Sequence, residues 1–248
     1  ESSSSLSLDS FWNLRSESDE SGYLTNILFS QARVAAYTGS DTTTNLGIGY
    51  RKIVDSDKLV GLNGFWDYRI VGYGPSYSRW GIGAEFGWKD LSITNNWYIA
   101  GTGVHSVTVD DSQYQERVVP GWDVEVAYRI PSNPNISLAL KAYRWDYQNT
   151  NDVDGVEGSV SWQATPHLAM KTWASTNVAA YPTTENAYLD DDNLRIGIGF
   201  TWSHRPVVFK KQDYRRNLST QMTQPVRRTY EVLLERYSSG SGFINRAS

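Results

Sequence analysis

Period-two alternation, repeated segment after segment, is what most limits the folds open to this chain. Residues 45–52 set Leu46, Ile48 and Tyr50 against Gly47, Gly49 and Arg51, and residues 60–69 set Val60, Leu62, Trp66 and Tyr68 against Asn63, Asp67 and Arg69. Residues 79–88 oppose Trp80, Ile82, Ala84, Phe86 and Trp88 to Arg79, Gly81, Gly83, Glu85 and Gly87. The pattern returns at 122–130 (Asp123, Glu125 and Arg129 on the polar side), at 156–163 (Glu157, Ser159 and Gln163) and at 194–202. Side chains alternate across a β-strand, so each segment reads as a strand with one apolar and one polar face. The chain is therefore expected to be all-β.

The two faces differ in kind. Trp and Tyr stand at the ends of the apolar faces, where an amphipathic ring suits a water–lipid boundary. Charges and glycines share the other face, which suits a narrow polar lumen, since strand glycines often mark close approach of another backbone. A soluble sandwich would also alternate. Connection lengths favour a membrane barrel: short links at 55–58, 89–90, 131–135 and 165–167 alternate with longer ones at 71–76, 102–120, 148–154 and 176–192. Transmembrane barrels sort their connections in this way, with periplasmic turns and extracellular loops. A mean hydropathy of -0.49 does not argue against such a barrel, because its two faces cancel in any average.

Eleven strands are expected, at 5–14, 23–37, 44–53, 59–70, 77–88, 90–101, 121–130, 136–147, 155–164, 168–175 and 193–203. Bacterial barrels usually have an even number, so the expectation for the intact protein is a transmembrane antiparallel up-and-down β-barrel of twelve strands. With 5–14 descending and Arg15–Gly22 as a periplasmic turn, the missing strand either precedes residue 5 or comes from the tail. Glu1 opens abruptly in a serine run with no secretory signal, which reads as a mature or trimmed start.

Beyond residue 204 the alternation dissolves and the charge reverses. Residues 205–248 carry a net +6 against -10 for residues 1–204, so the chain divides into a barrel (1–204) and a basic linker or plug (205–248). Asp9, Asp67, Glu85, Asp123, Glu125 and Glu157 fall on the polar face. One reading has the tail threading that acidic lumen, held by charge contacts in a confined space. The other is a disordered periplasmic tail. The plug reading expects pore conductance to rise on charge reversal of Asp67, Glu85 and Glu125 together.

Several segments then carry a resemblance. Residues 45–50 (Asn-Leu-Gly-Ile-Gly-Tyr), 61–68 (Gly-Leu-Asn-Gly-Phe-Trp-Asp-Tyr), 80–88 (Trp-Gly-Ile-Gly-Ala-Glu-Phe-Gly-Trp), Tyr114–Arg117, Pro120–Asp123 and the turn at Ile130-Pro131 follow in an order that resembles the translocator barrel of the intimin/invasin family, the inverse autotransporters. The likeness covers most of residues 5–202. It implies a twelve-stranded outer-membrane barrel whose linker runs through the pore and carries a C-terminal passenger, often an adhesin, to the surface. Residues 230–236, with Tyr230, Glu231 and Arg236, preceded by Arg227-Arg228, resemble that linker, and Arg215 and Arg216 of the basic tail are expected to belong to the same plug. The stretch Tyr237–Gly242 departs from the asparagine-rich sequence the family would have there. Expected partners are outer-membrane lipid and lipopolysaccharide, the chain's own passenger or a separately encoded secreted protein, and, by the resemblance, the barrel-assembly machinery and periplasmic chaperones.

Other chemistries find little support in the residues. No cysteine is present, and His105, His167 and His204 lack metal-site spacing, so no cofactor or metal is expected. The slightly acidic chain argues against a nucleic-acid partner. A rim protease would need His105 with Asp110 and Asp111, and a phospholipase His105 with Ser106, but adjacent strand residues face opposite ways. A hydrated loop histidine and a non-enzyme are the better reading. Asp190-Asp191-Asp192 lacks the spaced ligands of a calcium loop. Glu116 and Arg117 are expected to pair and to fold the longest loop over the pore mouth. Two functions stay open: a translocator exporting a fused or separate polypeptide, or a narrow diffusion porin or structural barrel that exports nothing.

Overall fold

The computed structural model describes residues 4–38, 40–109, 111–179 and 194–238. Its strands are β1 (Ser5–Ser18), β2 (Leu24–Tyr37), β3 (Thr42–Val54), β4 (Lys58–Ile70), β5 (Ser76–Trp88), β6 (Leu91–Ala100), β7 (His105–Val109), β8 (Ser112–Val118), β9 (Gly121–Arg129), β10 (Ile136–Trp145), β11 (Val153–Thr165), β12 (Leu168–Ala179), β13 (Arg195–Trp202) and β14 (Leu234–Ser238), with one helix, α1 (Tyr214–Met222). Eleven of these form one antiparallel up-and-down sheet in the order β1-β2-β3-β4-β5-β6-β9-β10-β11-β12-β13, and β14-β8-β7 make a small second sheet. The eleven strands are those the alternation marks, with ends displaced by a few residues. Among the described residues no pairing joins β13 to β1.

Three segments differ from the sequence expectation. Arg15–Ser18 belong to β1 rather than to a turn, and a register shift between Asn13 and Arg15 reverses the facing of β1 there. Such a bulge breaks the period-two pattern, so the alternation ends at 14 although the strand continues. Residues 102–120 are not one long loop, since they hold the hairpin β7–β8. The tail contains α1 and β14 instead of an irregular run.

The polarity of the sheet is inverted relative to a soluble protein. Leu62 is 68% exposed and Ile82 55%, whereas Asn45, Asp67 and Arg79 are fully buried. A soluble sandwich buries its apolar face. Here the apolar rows of neighbouring strands point outward and the polar rows point inward, onto the tail.

The sheet must also curve strongly. Arg227 reaches β9 through Glu125, while Tyr230, three residues on, reaches β2 through Gln31. Five strand spacings separate β2 from β9, roughly 24 Å along a flat sheet. Three extended residues span only about 10 Å, the wall side chains stand roughly perpendicular to the sheet and add little reach along it, and the Tyr230 hydroxyl turns back to the Val226 carbonyl. Opposite strands therefore face each other across a single tail segment. Connections 55–57, 89–90 and 166–167 lie at one end of the curl, and 71–75, 146–152 and the β7–β8 hairpin at the other.

Candidate functional site

The tail crosses the inside of the curled sheet from the short-turn end to the long-loop end. After β13 it passes beneath the β11–β12 turn, where the Val207 amide donates to the Pro166 carbonyl at 2.7 Å, and Phe209 lies under the Arg129 guanidinium. Asp213 then caps α1 by accepting from the Arg216 amide at 3.1 Å. Arg215 ties the helix to the short turns through Asp19 (2.6 Å) and the Ser56 hydroxyl (3.1 Å). Leu218, Met222 and Val226 recur at intervals of four and bury themselves among Ile27, Phe29, Ile53, Leu59 and Phe65. The first section of the inside is thus apolar, which the charge pattern of the tail does not reveal.

Beyond α1 the chain is extended, and its main-chain groups are satisfied by wall side chains. A buried backbone without a ladder of its own needs such partners. Arg51 donates to the carbonyls of Met222 (2.8 Å) and Gln224 (2.7 Å), Asn96 to Arg227 (3.0 Å), Arg79 to Thr229 (2.7 Å), and Asn45 to Tyr230 (2.9 Å). Gln31 accepts from the Val226 amide (3.0 Å) and donates to the Tyr230 hydroxyl (2.8 Å), which in turn donates to the Val226 carbonyl (2.5 Å). Apart from the one to the Tyr230 hydroxyl, these wall contacts read the peptide backbone.

The charged centre is built on Asp67. Arg79 meets it from the wall at 2.9 Å, and Arg228 of the tail meets it through both terminal nitrogens at 2.9 and 2.7 Å. Asp67 and Arg79 are fully buried, and the Arg228 side chain is 1% exposed. Asp123 takes neutral partners: it accepts from Tyr98 (2.7 Å), Asn96 (2.7 Å) and the Thr229 hydroxyl (2.9 Å). Tyr98 links the two carboxylates' surroundings, its ring 4.2 Å beneath the Arg79 guanidinium. Gly81 leaves room for this arrangement, because a Cβ there would overlap the Arg228 guanidinium.

The six acids of the polar face do not act alike. Asp67, Asp123 and Glu125 contact the tail directly, the last through Arg227 at 3.1 Å. Glu85 reaches it only through Arg51, which it holds at 2.9 Å. Asp9 pairs instead with Arg33 at 2.7 Å, and Glu157 with Lys141 and Lys171 at 2.9 and 3.2 Å, so both neutralise the wall's own cations. Arg33 and Lys141 share the inward rows with those acids, and nearest opposite charges pair first. Glu231 lies half exposed, 3.5 Å from Arg69.

Glu116 and Arg117 do not pair with each other, because consecutive strand residues point to opposite faces. Each pairs across the small sheet with the tail. Glu116 accepts from Arg236 at 3.0 Å and from the Tyr73 and Tyr77 hydroxyls at 2.7 and 2.5 Å. Arg117 donates to Glu235 at 2.6 Å and to the Asp146 carbonyl at 2.7 Å. Burial alone would raise the Glu235 carboxyl, but Arg117 and the amides of Asn149 and Gln148 hold it below its ordinary 4.5. A depressed folded value means that Glu235's stabilisation is complete above about pH 4.5 and is lost as pH falls through the lower folded value. Amide exchange of residues 112–118, corrected for its intrinsic pH dependence, should therefore quicken selectively as pH drops from about 6 to about 3.

The candidate catalytic side chains have other neighbours. His105 sits in β7 edge-on to the Tyr77 ring, and the Ser106 hydroxyl accepts from Gln115 at 2.9 Å. Asp110 and Asp190-Asp191-Asp192 lie outside the described residues.

Residues 1–230 of the chain match one family, the inverse autotransporter β-domain. The chain belongs to that family. Inverse autotransporter β-domains have a translocator role in general, membership implies the outer membrane, and the family is non-enzymatic in general. Among similar proteins of Escherichia coli (strain K12), an attaching and effacing protein homolog is 32% identical over 168 residues, 65% of this chain and 54% of that protein. The inverse autotransporter adhesin YeeJ is 28% identical over 224 residues, 85% of this chain. The chain thus spans about half of the first relative and 9% of the second. A solved structure titled "Unveiling the Mechanism Behind the in-meso Crystallization of Membrane Proteins" shares the fold, with a TM-score of 0.72 at 20% identity over 96% of this chain and 95% of that one.

Proposed function

We propose that this inverse autotransporter β-domain exports a polypeptide joined to its tail, and that the described tail is the linker left in the pore. The observation that carries the reading is the path of residues 205–238, which enter among the short turns and leave among the long loops. In this reading residues 1–204 are a closed outer-membrane barrel of twelve strands, with its apolar outer rows in lipid and lipopolysaccharide, short turns periplasmic and long loops extracellular. A further strand closes the gap between β13 and β1, and Arg227, Arg228 and Tyr230 lock the linker within the lumen. The wall's backbone contacts support export, since a pathway that binds main-chain groups accepts many sequences in turn.

The exported polypeptide is an adhesin-type passenger, as the name of YeeJ suggests for a relative, or a separately encoded protein. The barrel-assembly machinery and periplasmic chaperones are its proposed assembly partners. A diffusion porin is the less favoured reading, because the tail occupies the inside along its whole height. An epitope placed after Ser248 should be labelled on intact cells by an antibody. Labelling only after the outer membrane is permeabilised would count against export.

A further inference from the structure

The hairpin β7–β8 has no obvious role in a pore. It rises from the longest connection and stands apart from the eleven-stranded sheet. Two short strands alone are marginal in water, and a third is needed for independent stability. That third strand is the tail: Leu234–Ser238 pair with Tyr114–Val118 in one antiparallel register. The hairpin and the emerging chain therefore complete each other.

The side chains specify the register. Glu116 stands opposite Arg236, and Arg117 opposite Glu235, so one basic and one acidic residue on each strand are answered in reverse order. A one-residue slip would send every side chain to the wrong face. A two-residue slip would set Glu116 against Leu234 or Ser238 and leave Arg117 without Glu235. Just before β14, the Val119 amide donates to the Leu233 carbonyl at 2.9 Å, and Val232 is buried with Val71, Tyr77 and Val118. Glu116 fastens the hairpin to the main sheet through Tyr73 and Tyr77, and Glu235 draws in the 146–152 connection through Gln148 and Asn149.

We propose that the β7–β8 hairpin is a strand acceptor for the exported chain, taking Leu234–Ser238 as its third strand in a single register and so fixing how far the tail advances. This rests on the export reading above. Recognition is by main-chain pairing plus an acidic-basic dipeptide, a form of strand addition. Before the tail arrives, Val118 lacks the cover of Val232 and Leu234, Val119 lacks that of Leu233, and Arg117 lacks its carboxylate. The hairpin orders as the strand arrives.

The test uses the full chain purified from outer membranes in detergent, with cysteine pairs and mild oxidation. Gln115→Cys with Tyr237→Cys, directly opposed, should form a disulfide in most molecules. The offset pairs Gln115→Cys with Glu235→Cys, and Gln113→Cys with Tyr237→Cys, should each form at least tenfold less. Adding Glu235→Arg to the in-register pair should cut its disulfide at least tenfold and make Arg117 susceptible to trypsin. Adding Arg117→Glu to that variant should restore much of the disulfide. Offset pairs that form as readily as the in-register pair, or an in-register disulfide indifferent to Glu235→Arg, would overturn the acceptor. Surface labelling of the epitope after Ser248 is read separately. A disulfide without surface labelling would sink export and leave strand capture standing, and labelling without the disulfide would do the reverse.

Discussion

Asp67→Asn should destabilise the folded chain by about 3–5 kcal/mol, because it strips the counter-charge from two buried guanidiniums at once. Asp67 answers Arg79 from the wall and Arg228 from the tail, both within 2.9 Å, and its other oxygen accepts from Asn45. Asparagine keeps the shape but places an amide dipole where a full negative charge stood. The loss should show as a lower guanidinium midpoint in detergent, followed by tryptophan fluorescence, with an unchanged slope. Glu17→Gln is the control. Its partner Arg15 lies 3.9 Å away with both side chains largely exposed, so that change should cost at most about 1 kcal/mol. Combining Asp67→Asn with Arg228→Gln should recover part of the loss, since the two positions share one interaction. A midpoint no lower than that of Glu17→Gln would remove Asp67 from the account of stability.

Leu218→Asp together with Met222→Asp should open the inside of the sheet to ions while leaving the sheet folded. Both positions are buried in the apolar cluster under α1, at 1% and 0% exposure. An ionised carboxylate there costs several kcal/mol with no cation to answer it. The cheaper outcome is for the helix to withdraw, giving up its polar ties through Arg215, Ser219 and the Met222 carbonyl. Single-channel conductance in planar bilayers should rise several-fold, with the folded band on unheated gels retained. Arg228→Glu should raise conductance less, because the apolar section lies in series with the charged one and stays in place. Reversing Asp67, Glu85 and Glu125 is a poorer test than the sequence alone suggests, because Asp67 and Glu85 also neutralise Arg79 and Arg51 of the wall. Conductance unchanged by the double aspartate would mean that the tail does not seal the pore.

The strands were legible in the sequence because each has two faces in contrasting surroundings, and a period of two writes that contrast directly into residue order. The tail was harder to read. Its helix left a cap at Asp213 and a four-residue apolar interval at Leu218, Met222 and Val226, but both were masked by the surrounding arginines and lysines. Net charge pointed to an acidic surrounding for the tail, yet it could not separate acids that meet the tail from those that serve the wall. Asp9 and Glu157 have partners two strands or fewer away, and such local pairing depends on register, which composition does not record. The hairpin β7–β8 was hidden for another reason. Its strands are short, and its third strand lies more than a hundred residues on, so no local pattern announces it. Glu116-Arg117 and Glu235-Arg236 are the one trace, the same charged dipeptide twice, which sets acid against base only when the strands are laid antiparallel.

The curvature that brings Glu125 and Gln31 to either side of residues 226–230 also makes the tail a gauge of calibre. In the proposed barrel, diameter grows with strand number. A wall one hairpin wider would leave Asn45 and Asn96 unable to reach the same peptide carbonyls together, and a narrower one would have no room for Arg228 beside Gly81. The number of strands and the girth of one extended polypeptide are therefore tied to each other, so that neither is free to drift alone.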